Sequence, residues 1–159
     1  MSITSKIYSL FSMDLQSSIE KSRKNPQIFQ ERVFSNLMES GSDTLFFKEH
    51  RLSYKTSLQE FQNNVPLRDY NAFEPYIERI RKGEDSVLWN KAVKWFAKSS
   101  GTSSSKSKFI PVTEDSLNGC HYLGMKKMLA TYVNNYPDSS IFNGDALTLG
   151  GSVTLDELG

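Results

Sequence analysis

Apolar residues recur along this chain mostly at helical spacing. Ile3, Ile7, Leu10, Phe11, Leu15 and Ile19 fall on one stripe and predict an amphipathic helix over residues 1–24. Asn25 is a capping residue, Pro26 suits a first helical position, and Gly41 is placed to stop that helix in a left-handed conformation. Between them Phe29, Val33, Phe34, Leu37 and Met38 define the expected inward face. Residues 43–56 read as irregular or strand-like, around Thr44-Leu45-Phe46-Phe47. Ser57 and Glu60 then spell a capping box for a short helix, with Leu58 and Phe61 inward and Pro66 at its exit. Asp69 starts the next helix, Pro75 predicts a reset within it, and Gly83 ends it. Tyr76, Ile77 and Ile80 form its apolar side, and its charged side reads as a solvated face.

The pattern changes after residue 86. Val87-Leu88-Trp89 predicts a short strand. Trp95-Phe96-Ala97 and Phe109-Ile110-Pro111-Val112 predict two more, on either side of a polar loop. Thr113 caps a long helix that runs to about Asn135, with Glu114 and Asp115 in its first turn, where the dipole favours them. Leu117, His121, Gly124, Met128 and Tyr132 share one side, and Gly119 and Gly124 point to close approach by another element. Asn143-Gly144 turns the chain into a last strand, Ala146 to Leu149. No repeat or Pro-rich linker interrupts this order, so residues 1–159 read as a single domain of mixed, helix-rich α/β class. Its few strands are mostly antiparallel and surround the polar loop.

Composition narrows the function. Hydrophobic residues make up 38% and charged residues 23%, which fits a folded rather than a disordered chain. The net charge of +1 gives no bulk attraction for nucleic acid. No apolar run reaches the roughly 18 residues a membrane span needs. Residues 1–14 lack the apolar segment and cleavage site of a secretory signal. A single cysteine, Cys120, excludes an internal disulfide, and with two histidines it cannot build a usual zinc site. The expected location is cytoplasmic.

The polar loop carries the chemistry. From Ser99 to Ser105 it holds five serines, Gly101 and Thr102, and it closes with Lys106-Ser107-Lys108. Hydroxyls and amides in such a loop surround an anion, and lysines neutralise it. A nucleotide loop of the strand–loop–helix kind requires a glycine before its lysine, which is missing at Ser105, and a helix after it, which Pro111 blocks. A plain solvent-exposed hairpin tip has the same composition. The third reading is an anion-binding loop between antiparallel strands, ordered when phosphate arrives.

Ser99-Ser100-Gly101-Thr102-Ser103, followed by Lys108 and Pro111, resembles the phosphate-loop motif of acyl-adenylate-forming enzymes. More closely, it resembles that of the auxin-responsive acyl-acid amido synthetase (Gretchen Hagen) family, in its bacterial type. The resemblance extends outward, in order. It takes in Val65-Pro66-Leu67-Arg68-Asp69-Tyr70, Pro75-Tyr76-Ile77-Glu78-Arg79, Lys82-Gly83-Glu84, Leu88-Trp89, Ile110-Pro111-Val112-Thr113 and Gly150-Gly151-Ser152. It therefore covers most of the chain from Thr44 onward. Ser104 and Ser105 stand where plant members carry glycines, which restricts positive φ in the loop.

The resemblance implies ATP and Mg²⁺ as cofactors, with a small carboxylic acid and an amino acid as substrates. Ser99, Ser100, Gly101, Thr102 and Ser103 would hold the nucleotide phosphates, assisted by Lys106, and Lys108 falls on the family's loop lysine. The family's enzymes are several times longer, so the chain is expected to be the N-terminal part of an acyl-adenylate-forming large domain, inactive alone. The apolar faces of the long helix and of the last strand are expected to be exposed and to promote self-association. The alternative is a shortened, non-catalytic module that binds a nucleotide or a protein. Elsewhere, Cys120 beside His121 reads as packing, since adjacent helical residues do not face each other. Trp89 and Trp95 read as core, or else as an aromatic wall for an acyl group.

Overall fold

Thr44 sets the pattern for how this chain starts its helices. In the computed structural model, which describes residues 3–99, 107–145, 147, 150 and 152–155, its side chain accepts from the Phe47 N–H and caps a helix rather than a strand. That helix is the fourth of the eight α-helices among the described residues. In order they are α1 (Ile3–Phe11), α2 (Met13–Lys24), α3 (Pro26–Gly41), α4 (Leu45–Glu49), α5 (Leu58–Asn64), α6 (Tyr70–Arg81), α7 (Glu114–Ser116) and α8 (Leu123–Asn135). Strands β1 (Trp95–Lys98) and β2 (Phe109–Val112) lie between α6 and α7. A π-helical segment, Leu117–Tyr122, joins α7 to α8. The class is therefore mixed α/β and helix-rich, with one antiparallel pair among the described residues. The described residues group into two compact units, residues 29–117 and residues 1–28 with 118–159.

In residues 29–117, Met38, Phe47 and Leu52 form the buried centre, with Phe34, Phe46, Phe61 and Val65 packed on it. Gly41 ends α3 without positive φ, contrary to the left-handed stop read from sequence. A Cβ there would lie 2.2 Å from the Phe47 ring, so the glycine serves close packing. Residues 44–47 are helical because α4 has acceptors for its first amides. The Leu45 N–H donates to Ser86 O at 2.8 Å and the Phe46 N–H to Val87 O at 3.1 Å. Residues 87–89 are accordingly bends, not a strand. The Ser57–Glu60 capping box forms as read, and Asp69 caps α6. That helix continues through Pro75 without the expected reset. Gly83, at φ +85, ends it: the Gly83 N–H reaches Ile80 O and the Glu84 N–H reaches Arg79 O. Val33, Leu37 and Leu58 are exposed, so each helix buries a narrower face than its periodicity predicts.

In the other unit, residues 3–24 form two helices broken at Ser12 rather than one, both packed on α8. Ser5 and Ser12 are buried there, while Ile3, Ile7, Leu10 and Phe11 are exposed. Ser5 Oγ donates to Ser139 O at 2.9 Å and Tyr8 Oη to Lys126 O at 3.1 Å, so polar contacts seat α1. Ala130 and Val133 are the buried residues of α8. Met128 and Tyr132, which share one side of the helix, are exposed. Nothing lies within 4 Å of a Cβ at Gly119 or Gly124, so neither marks a close approach. Cys120 and His121 are exposed rather than packed. Most of the last expected strand, Ala146 to Leu149, lies outside the described residues.

Candidate functional site

Aromatic and β-branched residues make the ribbon that carries the polar loop. Trp95 pairs with Val112, Phe96 with Pro111, Ala97 with Ile110 and Lys98 with Phe109, all antiparallel. The ladder runs one pair further, where the Ser99 N–H donates to Lys108 O at 2.9 Å. Antiparallel pairs alternate between those that exchange hydrogen bonds and those whose backbone groups point outward. Counting from Ser99 and Lys108, Phe109 and Pro111 fall at outward positions. Proline has no N–H to lose there, which explains its place in a strand. Trp95 is 55% exposed, so it is not the core residue its type predicted, and Trp89 is half-buried.

At the mouth of the ribbon the Lys108 N–H turns to Ser99 Oγ, at 3.3 Å. A hydroxyl that accepts in this way keeps its own proton for a further acceptor. Lys108 is exposed, and its Nζ lies 5.2 Å from the centre of the Tyr70 ring. Lys98 Nζ lies 5.8 Å from the Phe109 ring centre, and the Arg81 guanidinium stacks over the same ring at 4.0 Å. Arg81 is offset by Glu78, at 2.6 Å, whereas among the described residues no carboxylate pairs with Lys98 or Lys108. The mouth therefore presents positive charge and a hydroxyl donor. Ser100, Gly101, Thr102, Ser103 and Lys106, read from sequence as phosphate ligands, lie outside the described residues.

Below the ribbon, Thr113 caps α7 by accepting from the Ser116 N–H at 3.0 Å. Asp115 accepts from the Trp89 indole N–H at 2.9 Å and from Lys91 Nζ at 3.0 Å. The indole hydrogen bond first, and the ammonium second, hold the Asp115 carboxyl below the usual range. On the far side of α6 the Arg68 guanidinium reaches His50 Nε2 at 2.8 Å, and His50 Nδ1 reaches Phe46 O at 2.7 Å. Tyr76 donates to the Glu49 carboxylate, and that bond, with burial second, raises the phenol pKa. Among the described residues no group of His, Cys, Asp and Glu could hold a metal ion.

Sequence reasoning assigned no site role to Tyr70, Arg81 or Lys98, although Tyr70 closes one of the stretches that carry the family resemblance. Tyr70 is 39 positions from Phe109, and no local pattern reports a contact across that separation. Its one signal is a polar-tipped aromatic directly after a helix cap.

Taken together, this is a helix-rich α/β protein whose antiparallel ribbon displays a hydroxyl-bearing, lysine-flanked loop. The sequence model of the GH3 family N-terminal domain matches residues 15–153, and the chain belongs to the GH3 family. It is similar to indole-3-acetic acid-amido synthetase GH3.5 of Arabidopsis thaliana, 32% identical over 63% of this chain and 16% of that protein. It is similar to jasmonoyl-L-amino acid synthetase JAR6 of Nicotiana attenuata, 32% identical over 74% of this chain and 20% of that protein. Indole-3-acetic acid-amido synthetase GH3.4 of A. thaliana is 30% identical over 74% of this chain and 20% of its own length. The chain thus spans a fifth or less of the curated relatives it matches. None of its helices, among the described residues, is long and apolar enough to cross a membrane.

Proposed function

We propose that residues 1–159 form the N-terminal, incomplete part of the adenylation domain of an ATP-dependent acyl-acid amido synthetase. The observation that carries this reading is the ribbon mouth. There Ser99 and Lys108 are paired across the strands, at the base of the hydroxyl-rich loop, in a chain of the GH3 family. The relatives' names, amido synthetases acting on indole-3-acetic acid or forming jasmonoyl-amino acids, supply the reaction class.

In this reading a carboxylate oxygen of the acid attacks the α-phosphorus of ATP, and the bond to the bridging oxygen breaks. The products are an acyl-adenylate and pyrophosphate. The amino group of an amino acid then attacks the acyl carbon and loses a proton, and AMP leaves. Ser99, Ser100, Gly101, Thr102 and Ser103 donate to the phosphate oxygens. Lys106 and Lys108 offset the charge that builds there during displacement. Each charge-assisted hydrogen bond contributes about 1.5–3 kcal/mol. The described residues offer no ligand set for Mg²⁺, which would arrive on the phosphates themselves.

The test is acid-dependent ATP–pyrophosphate exchange in the polypeptide encoded by the whole reading frame. Replacing both Lys106 and Lys108 by alanine is expected to abolish exchange, and unchanged exchange sinks the assignment of the loop. Residues 1–159 alone are expected to show none. Exposed Ile3, Ile7, Phe11, Met125 and Met128 support self-association of the isolated chain, which concentration-dependent light scattering checks. The location that fits this chemistry is the cytoplasm.

A further inference from the structure

The C-terminal flank of the loop is held from one side, and one side chain does most of the holding. Among the described residues the ribbon has two strands, and the outward-facing N–H and C=O of Phe109 have no third strand there to pair with. Tyr70 takes both. Its Oη accepts from the Phe109 N–H at 2.9 Å and donates to the Phe109 C=O at 3.2 Å. One phenol thus stands in for the missing strand at the residue next to Lys108. The ring of the same side chain faces the Lys108 ammonium at 5.2 Å, within the range of a cation–π contact.

Helix α6 makes this arrangement stiff. Asp69 caps it directly before Tyr70, accepting from the Ala72 N–H at 3.2 Å, so Tyr70 opens a fixed first turn. Arg81, the last residue of α6, lies about three turns further on and so on the same face. Its guanidinium covers the Phe109 ring at 4.0 Å. Phe109 is therefore gripped at its backbone by one end of the helix and at its ring by the other. Ile77 and Ile80, buried between them, anchor the helix.

We propose that Tyr70 is the positioning residue for Lys108 and for the strand that begins at Phe109. Its hydroxyl locks the register of Phe109, and its ring sets where the Lys108 ammonium stands before the polyphosphate of a nucleotide binds. This rests on the nucleotide-loop reading above. Tyr70 touches neither substrate nor reacting atoms; it acts through Lys108 and the strand.

Two substitutions separate its parts. Tyr70→Phe keeps the ring and removes the hydroxyl, and Tyr70→Leu removes both. In the ligand-free chain, amide exchange at Phe109 is expected to quicken about tenfold or more in both variants, as a lost pair of hydrogen bonds requires. The upfield ring-current shift of the Lys108 ε-methylene protons is expected to survive in Tyr70→Phe and vanish in Tyr70→Leu. In pyrophosphate exchange by the whole reading frame's product, KM for MgATP should rise about five- to tenfold in Tyr70→Phe and further in Tyr70→Leu. In Tyr70→Phe, which keeps the ring beside Lys108, the turnover number should change less than about twofold, and in Tyr70→Leu it should fall together with the rise in KM.

An unchanged Phe109 exchange rate and KM in Tyr70→Phe overturn the proposal. So does a Lys108 signal that is unmoved in Tyr70→Leu, and so does a fall in turnover at constant KM in both variants, because that is what a smaller folded fraction would give. If the Lys106 and Lys108 alanine variant is dead while Tyr70→Phe is normal, this inference alone fails. If the lysine variant is fully active, the nucleotide reading fails, and Phe109 exchange still decides whether Tyr70 fixes the ribbon.

Discussion

The two units of this chain show equally clear apolar periodicity and bury it very differently. In residues 29–117 four helix starts, at Thr44, Ser57, Asp69 and Thr113, have a side-chain cap, and Met38, Phe47, Leu52, Ile77, Ile80 and Val87 are buried. In the unit built from residues 1–28 and 118–159, the starts of α2 and α8 have no side-chain cap. The residues buried there are Ser5, Ser12, Ala130 and Val133. Ile3, Ile7, Leu10, Phe11, Met125 and Met128 face outward, Phe11 at 86% exposure. Periodicity therefore says which residues gain by leaving water, and says nothing of whether the chain supplies a surface to receive them. The family match begins at residue 15, so α1 precedes the matched region.

Mutations at the buried centre of residues 29–117 test that contrast hardest. Phe47→Ala should destabilise this unit by about 3–5 kcal/mol, as deletion of a buried ring does. Both tryptophans, Trp89 and Trp95, lie in it, so their fluorescence in a urea titration reports on it alone. A loss under about 1 kcal/mol would mean that the Phe47 site is not a packed core. Gly41→Ala should cost about 1–3 kcal/mol by the same readout, because the new methyl meets the Phe47 ring. The double variant with Phe47→Leu should recover part of that cost. Gly83→Ala should cost about 1–2 kcal/mol for a different reason. Nothing lies near its Cβ, but the turn that ends α6 requires φ +85.

These positions also show what the sequence could and could not say. Gly83 was legible as a stop because its requirement is local: a left-handed residue after a helix. Ser57, Asp69 and Thr113 were legible for the same reason, since a cap satisfies amides two or three residues away. Gly41 was legible as a boundary but not in its cause, which is a ring six positions on. Residues 44–47 were misread because their helix depends on carbonyls of Ser86 and Val87, about forty residues distant. The ribbon was read correctly from its aromatic and β-branched runs, and Ser99 and Lys108 do sit together at its mouth. The contacts of Tyr70 and Arg81 with Phe109 were not legible, because a contact across an element boundary leaves no periodic trace.

Acid sharpens the comparison further. Asp115 is ionised more readily in the folded protein than in an unfolded chain, first through the Trp89 indole and then through Lys91. A carboxyl with a lowered pKa adds stability above its unfolded value, and that stability is lost as pH falls through the lower folded value. The Trp89 indole ¹H–¹⁵N signal should therefore titrate with a midpoint below the ordinary aspartate range. Asp115→Asn should remove that step. A midpoint at the ordinary value would mean the indole and ammonium contacts do not persist in solution.

The smallest expected effect is the most decisive for the contrast. Phe11→Ser removes a ring that is almost wholly exposed, so stability followed by far-UV circular dichroism should stay within about 0.5 kcal/mol of the parent. At the same time the variant loses apolar surface, and any self-association through that face should weaken. The two readouts separate cleanly. A destabilisation above about 1 kcal/mol would show Phe11 covered within its own unit, and the contrast between the two units would collapse. Unchanged stability with weaker association would place the demand for burial outside the chain. For an apolar residue left uncovered by the described residues of its own unit, that is the expected outcome.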